Sequence, residues 1–158
     1  MSAPSPIEHV KSFCAEQGLR LTPIRRRVLE LIIAADAPIK AYDLLDQLKK
    51  ERPGAAPPTI YRALEFLLEH HFIHRIETLN AYVSCMHPEH PHEGQFLICN
   101  RCHQVVEIED SVLNERLSKA AASEGFTPSH QVLEIYGCCD DCDASSASAK
   151  PKRSKTSG

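Results

Sequence analysis

The sequence predicts an α+β protein: a helical N-terminal half closed by a β-hairpin, then a small cysteine-rich half. Three observations predict this division. Apolar residues recur at helical spacing up to about residue 70, and then alternate in two short runs around a polar turn. Two Cys-x-x-Cys pairs, Cys99/Cys102 and Cys139/Cys142, stand 36 residues apart in the second half. Charge also divides the chain. Residues 1–83 carry 11 Lys and Arg against 10 Asp and Glu, whereas residues 84–143 carry 3 against 11.

In the first half, Val10, Phe13 and Cys14 mark one face of an amphipathic helix, with Cys14 expected to pack as a buried apolar residue. Ile24, Val28, Leu31 and Ile32 define the next helix, behind Thr22 as N-cap and Pro23 at its first position. A further helix spans Ala41 to Glu51, striped by Leu44, Leu45 and Leu48 and stopped by Arg52-Pro53-Gly54. Pro57-Pro58 opens another, with Ile60, Leu64, Leu67 and Leu68 inside, Thr59, Arg62 and Glu69 outside and Tyr61 at the margin. Residues 72–76 and 81–84 then flank Leu79-Asn80 as a hairpin. This order is that of a winged helix-turn-helix, in which one helix enters the DNA major groove and the hairpin lies along the backbone. The expected DNA-facing set is Arg25, Tyr42, Thr59, Tyr61 and Arg62. The plainer alternative is that Arg25-Arg26-Arg27 forms a solvated helix face.

The four paired cysteines fit a closed tetrahedral zinc site, because two intervening residues let both sulfurs of a knuckle turn toward one ion. Disulfides or a dithiol redox pair are the competing readings. The count of seven cysteines is odd, and Met-Ser-Ala-Pro-Ser-Pro carries no charged-then-apolar leader. No apolar run approaches the roughly 18 residues of a membrane span. A cytoplasmic protein without a membrane anchor is expected. The expected organisation is a DNA-binding domain over 1–83, a metal-binding domain over 84–143, and a disordered basic tail over 144–158.

Arg20-Leu-Thr-Pro-Ile-Arg25, Pro57-Pro-Thr-Ile-Tyr-Arg-Ala-Leu64, His74, Tyr82-Val-Ser-Cys85, the two Cys-x-x-Cys pairs and Glu134-Ile-Tyr-Gly137 together resemble the ferric uptake regulator superfamily, and within it the zinc uptake regulator branch. The resemblance runs from about residue 7 to residue 143. It implies a homodimeric repressor of zinc-uptake genes that binds double-stranded operator DNA when loaded with zinc, two zinc ions per subunit, with a small α/β dimerisation domain over 84–143 and a hinge near 80–86. It further implies a regulatory zinc site at His74, Cys85, His92 and Glu107. The donor chemistry agrees, since two imidazoles, a carboxylate and one soft sulfur suit zinc better than iron or manganese. A third metal position is implied at His90, Glu115 and His130, with Asn114 standing where an acidic helix ligand is expected. His87, His103 and Cys138 receive no role.

Three other readings compete. One is an iron or peroxide sensor of the same superfamily, against which Cys85 argues. Another is a zinc-stabilised interaction module that binds protein and not DNA, which the salt dependence of DNA binding would separate. The last is an enzyme with a catalytic zinc at the same His, Cys and Glu set, the Glu serving as general base. The chain has no His-Glu-x-x-His, no His-x-Glu followed by Pro-Cys-x-x-Cys and no glycine-rich phosphate loop. No enzymatic activity and no small-molecule substrate are expected.

Overall fold

The computed structural model describes residues 5–144, so the basic tail lies outside the described residues except for Ala144. The four N-terminal helices are α1 (Pro6–Glu16), α2 (Pro23–Ala34), α3 (Ala41–Glu51) and α4 (Pro57–Glu69). Local chemistry sets their starts. The Ser5 hydroxyl accepts from the Glu8 N–H while the Glu8 carboxylate accepts from the Ser5 N–H, a reciprocal capping box. Thr22 caps α2 through the Arg25 N–H, with Pro23 behind it as the spacing predicts. Their apolar stripes meet in one core, in which Val28, Leu44, Leu48, Leu64 and Leu67 are fully buried and Val10 and Cys14 close one side.

A hairpin of β1 (Ile73–Ile76) and β2 (Ala81–Ser84) follows, turning through Asn80 in a left-handed conformation that asparagine tolerates. Strand alternation gives the hairpin two working faces. Ile73 and Tyr82 point into the helical core, and Tyr82 also bridges Ile39. Ile76 and Val83 point the other way, into a second core with Phe96, Ile98, Val105 and Val132. The hairpin expected at the end of the first domain is therefore packed on both sides.

The second core lines one face of a three-stranded sheet of order β4-β3-β5, built from β3 (Gly94–Cys99), β4 (Val105–Ile108) and β5 (Val132–Gly137). β4 runs antiparallel and β5 parallel to β3, with α5 (Ser111–Ser123) connecting the two edge strands and α6 (Asp140–Ala144) ending the described chain. Gln95, fully buried, fixes the entry to α5. Its amide exchanges two hydrogen bonds with the Asp110 backbone and donates to Asn114 Oδ1, which also accepts from Gln131. The predicted α+β class, and the order of helices and hairpin predicted for the first half, match this arrangement. Among the described residues no helix is long and apolar enough to cross a membrane.

Candidate metal centres and nucleic-acid face

The even face of β1 aims His74 away from the helices and at the sheet. Its imidazole stands edge-on to Phe96, with ring centroids 5.3 Å apart. The Phe96 ring leans over Gly94, where an added Cβ would come within 2.7 Å of it, so any larger residue there would have to displace that buried ring. Phe96 and Glu107 are register partners on β3 and β4, which brings the Glu107 carboxylate beside His74. Cys85 is held just beyond β2 by a bond from its N–H to the Phe72 carbonyl. His92 is oriented by the His90 carbonyl 3.0 Å from its Nδ1.

These four side chains converge. Their ligand atoms all lie within 4.8 Å of one another, with Cys85 Sγ 3.6 Å from His92 Nε2. That separation equals the sulfur–nitrogen edge of a zinc tetrahedron, about 3.6 Å from ordinary bond lengths. Glu107 Oε1 is 2.8 Å from His74 Nε2 and 2.5 Å from His92 Nε2. His74 Nε2 nevertheless has no hydrogen bond of acceptable geometry and is a buried polar atom without a partner. A carbonyl only accepts, so His92 Nδ1 is the protonated nitrogen and neutral His92 would oppose a lone pair at Nε2 to a carboxylate. A proton or a cation between them removes the conflict. The donor set fits zinc on both counts.

Burial and neighbouring charge set the protonation of these side chains. Burial pushes the Cys85 thiol up to about 12, and the Glu107 charge adds to the effect. Burial also pushes Glu107 up, but His74, the Met86 N–H at 2.9 Å and His92 outweigh it and hold the carboxyl at about 2. The site thus sets a carboxylate beside a thiol whose ionisation a cation would favour.

Cys99, Cys102, Cys139 and Cys142 form the other group, with Cys102 and Cys139 sulfurs 3.7 Å apart, near the roughly 3.8 Å sulfur–sulfur edge of a zinc tetrathiolate. The N–H groups of Cys102, Cys139 and Arg101 pull Cys99 down to about 5, whereas bonds from Cys139 and Cys102 push Cys142 up to about 12. Four thiols without an ion cannot all be charged. The first knuckle turns through His103 in a left-handed conformation. Cys138 is exposed and bonds the Cys139 carbonyl.

The third implied position is not gathered. Among the described residues only the two groups above bring three or more such donors together. His90 stands 3.8 Å from Glu109, Glu115 pairs with Lys119 on α5, and His130 is exposed in the cleft beside Asn114. Asn114, being neutral, is spent on Gln95 and Gln131.

Tyr42 at the start of α3 and Tyr61 in the first turns of α4 flank a shallow apolar notch with Pro57 and Ile60. Both tyrosines are exposed, at 69% and 45%, as is Arg62, and Thr59 is half-buried. Arg25 has an internal role that periodicity could not reveal. Its guanidinium lies 3.8 Å over the Phe66 ring and donates to the Arg20 carbonyl at 2.6 Å. Arg26 pairs with Glu30, and Arg27 with Glu30 and Glu51.

A helix-turn-helix with its wing docked through a mixed His/Cys/Glu cluster, above a four-cysteine knuckle, defines a winged-helix protein with two candidate metal centres. The sequence model of the ferric uptake regulator family matches residues 16–136, and the chain belongs to that family. It is 40% identical over 148 residues to the zinc uptake regulation protein of Escherichia coli K12, covering 93% of this chain and 86% of that protein. A solved zinc uptake regulator complexed with zinc and DNA superposes with a TM-score of 0.86 at 38% identity, over 91% of this chain and 99% of that one. XcZur, 48% identical, is solved in two forms. Its holo form gives a TM-score of 0.82 over 90% of this chain and 99% of its own, whereas its apo form gives 0.51 over 89% and 97%.

Proposed function

We propose that this chain is a zinc-responsive transcriptional repressor that binds operator DNA as a zinc-loaded homodimer and shuts off zinc-uptake genes. The observation that carries the reading is the meeting of His74, on the wing, with Cys85, His92 and Glu107 in one buried ligand set. One ion held there would join the hairpin to the sheet through two imidazoles, a thiolate and a carboxylate. The contrast between the holo and apo forms of XcZur, equal in identity to this chain but far apart in superposition, supports a docked arrangement that belongs to the loaded state.

Each part of the chain has a task in this scheme. Cys99, Cys102, Cys139 and Cys142 hold the structural zinc that closes the end of the sheet. Tyr42, Thr59, Tyr61 and Arg62 present the DNA-reading surface, and Arg25 seats α2 on α4 through Phe66. Arg62 suits a guanine edge or a phosphate, while the tyrosine rings suit thymine methyl groups. The outward face of the sheet, with exposed Leu97, Val106 and Ile135, supplies the dimer interface together with α5, none of whose residues is buried. The domain division at residue 83, with the hinge near 80–86, places the ligand set across the joint. Four protein donors fill a tetrahedral set, which favours a regulator over a catalyst, and the working compartment is the cytoplasm.

Zinc need favour the docked state by only about 1–3 kcal/mol to change operator affinity from several-fold to a hundredfold. The test is recovery of host genomic fragments by the purified protein at two buffered free-zinc levels, with the four-cysteine zinc retained in both. Capture of a few promoters at the higher level alone is expected. Equal capture at both, or capture governed by iron, would replace this reading with a sensor of another metal.

A further inference from the structure

Glu134-Ile135-Tyr136-Gly137 belongs to neither ligand set, yet Glu134 is the inward-facing residue of β5 directly across β3 from Glu107. Both glutamates are register partners of Phe96, so Glu107, Phe96 and Glu134 form one row across the sheet. Each carboxylate at the end of that row grips the hairpin. Glu107 meets His74 in β1. Glu134 accepts from the Glu77 N–H at 2.7 Å and from the Thr78 hydroxyl at 2.6 Å, both in the hairpin turn, and the Tyr136 hydroxyl also donates to it. Burial raises the Glu134 carboxyl, and these donors more than reverse the effect.

We propose that Glu134 is a positioning residue for the regulatory metal site, acting through Thr78 as a metal-independent latch. The inference rests on the zinc-sensor reading above and concerns the same site. A hairpin attached to the sheet only at His74 can rock about that contact. A second attachment on the opposite edge strand removes the pivot, so His74 is presented to Cys85, His92 and Glu107 before any ion arrives. The apolar contacts of Ile76, Leu79 and Val83 with the sheet favour docking but tolerate sliding, because dispersion has no direction. The hydrogen bonds at the turn supply the direction. When the binding-competent arrangement is only partly populated, apparent metal affinity falls in proportion to that population. The latch therefore tunes the zinc level at which the site fills.

The test uses the full chain with its four-cysteine zinc loaded, and reads the affinity for the second zinc by competition with a chromogenic chelator. Thr78→Val removes the hydroxyl from an exposed residue with little change of shape, and Glu134→Ala removes the acceptor. Thr78→Val should weaken second-zinc affinity roughly three- to tenfold, the effect of one hydrogen bond, and Glu134→Ala, which also strips the Glu77 N–H and the Tyr136 hydroxyl of their acceptor, at least as much. The double variant should be no weaker than Glu134→Ala alone, because the hydroxyl acts through that carboxylate. Thr78→Ser should restore wild-type affinity, and saturating zinc should restore operator binding in every variant. Wild-type second-zinc affinity in Thr78→Val, or losses that multiply in the double variant, would overturn the latch while leaving the sensor reading intact. A wild-type chain that takes up no second zinc would overturn both.

Discussion

His74 Nε2 and Glu107 Oε1 stand 2.8 Å apart across the seam between the hairpin and the edge strand of the sheet, in contact but not in hydrogen-bond geometry. The Glu107 side chain is 3% exposed and that of His74 11%, so water offers neither group a substitute partner. An ion approached by both, and by Cys85 and His92, resolves the misalignment that a proton shared by two atoms leaves.

Cys85→Ala removes the only sulfur from that set. The protein is expected to retain one zinc per subunit, in the four-cysteine knuckle, and to lose the second together with zinc-dependent operator binding. Metal content measured after gel filtration, with a DNA titration at buffered zinc, checks both. Zinc-dependent operator binding surviving in this variant would assign the switch elsewhere.

The pH response of the same site changes with metal. Glu107 is held at about 2 against an ordinary 4.5, so its contribution to stability is complete above 4.5 and is lost as pH falls through about 2. His92 is pulled down by burial, but Glu107 and the His90 carbonyl leave it above its ordinary 6.5. Its contribution is complete below 6.5 and is lost as pH rises through the raised value. The pair therefore stabilises the metal-free protein most between 4.5 and 6.5. Zinc requires the Cys85 proton, held up to about 12, to leave, so above the raised His92 value second-zinc affinity should rise about tenfold per pH unit for that one proton, and more steeply below it, where the His92 proton must leave as well. Thermal melts across the range, with and without zinc, should show the optimum moving to higher pH on loading. An optimum that stays in place would refute the account.

Much of this was legible in the sequence because each element carries its own local signal. The α3 boundaries, Ala41 to Glu51, and the Thr22 cap with Pro23 follow from spacing and capping chemistry, and the knuckles follow from cysteine spacing alone. The mixed ligand set became legible through family resemblance, since a lone histidine in a wing announces nothing by itself. The rest depends on tertiary register. That Phe96 aligns Glu107 with Glu134, that Asn114 serves two glutamine amides, and that Arg25 lies over Phe66 are relations between segments far apart in the chain, invisible to periodicity.

Arg25 and Arg62 should separate by salt dependence. Arg25 is engaged with Phe66 and the Arg20 carbonyl, so Arg25→Ala should cost about 1–2 kcal/mol of stability and weaken operator binding with the salt slope unchanged. Arg62 is exposed near the start of α4, and Arg62→Ala should leave the melting temperature within a degree or two while changing base preference or reducing the salt slope by about one. A reduced slope in Arg25→Ala would place that guanidinium on a phosphate.

The outward face of the sheet tests the assembly. Leu97, Val106 and Ile135 lie side by side in register across β4-β3-β5, on the face opposite the hairpin, and remain partly exposed. An apolar row at the centre of a sheet, beside a helix with no buried residue, calls for a covering partner. Leu97→Glu puts a charge at the middle of that row and removes no ligand or DNA-facing residue. It should convert the dimer to monomers in light scattering while both zinc sites still fill. Operator affinity should then fall by two orders of magnitude or more, because the second half-site no longer binds at the high effective concentration that linkage provides. A Leu97→Glu protein that remains dimeric would move the interface to another surface.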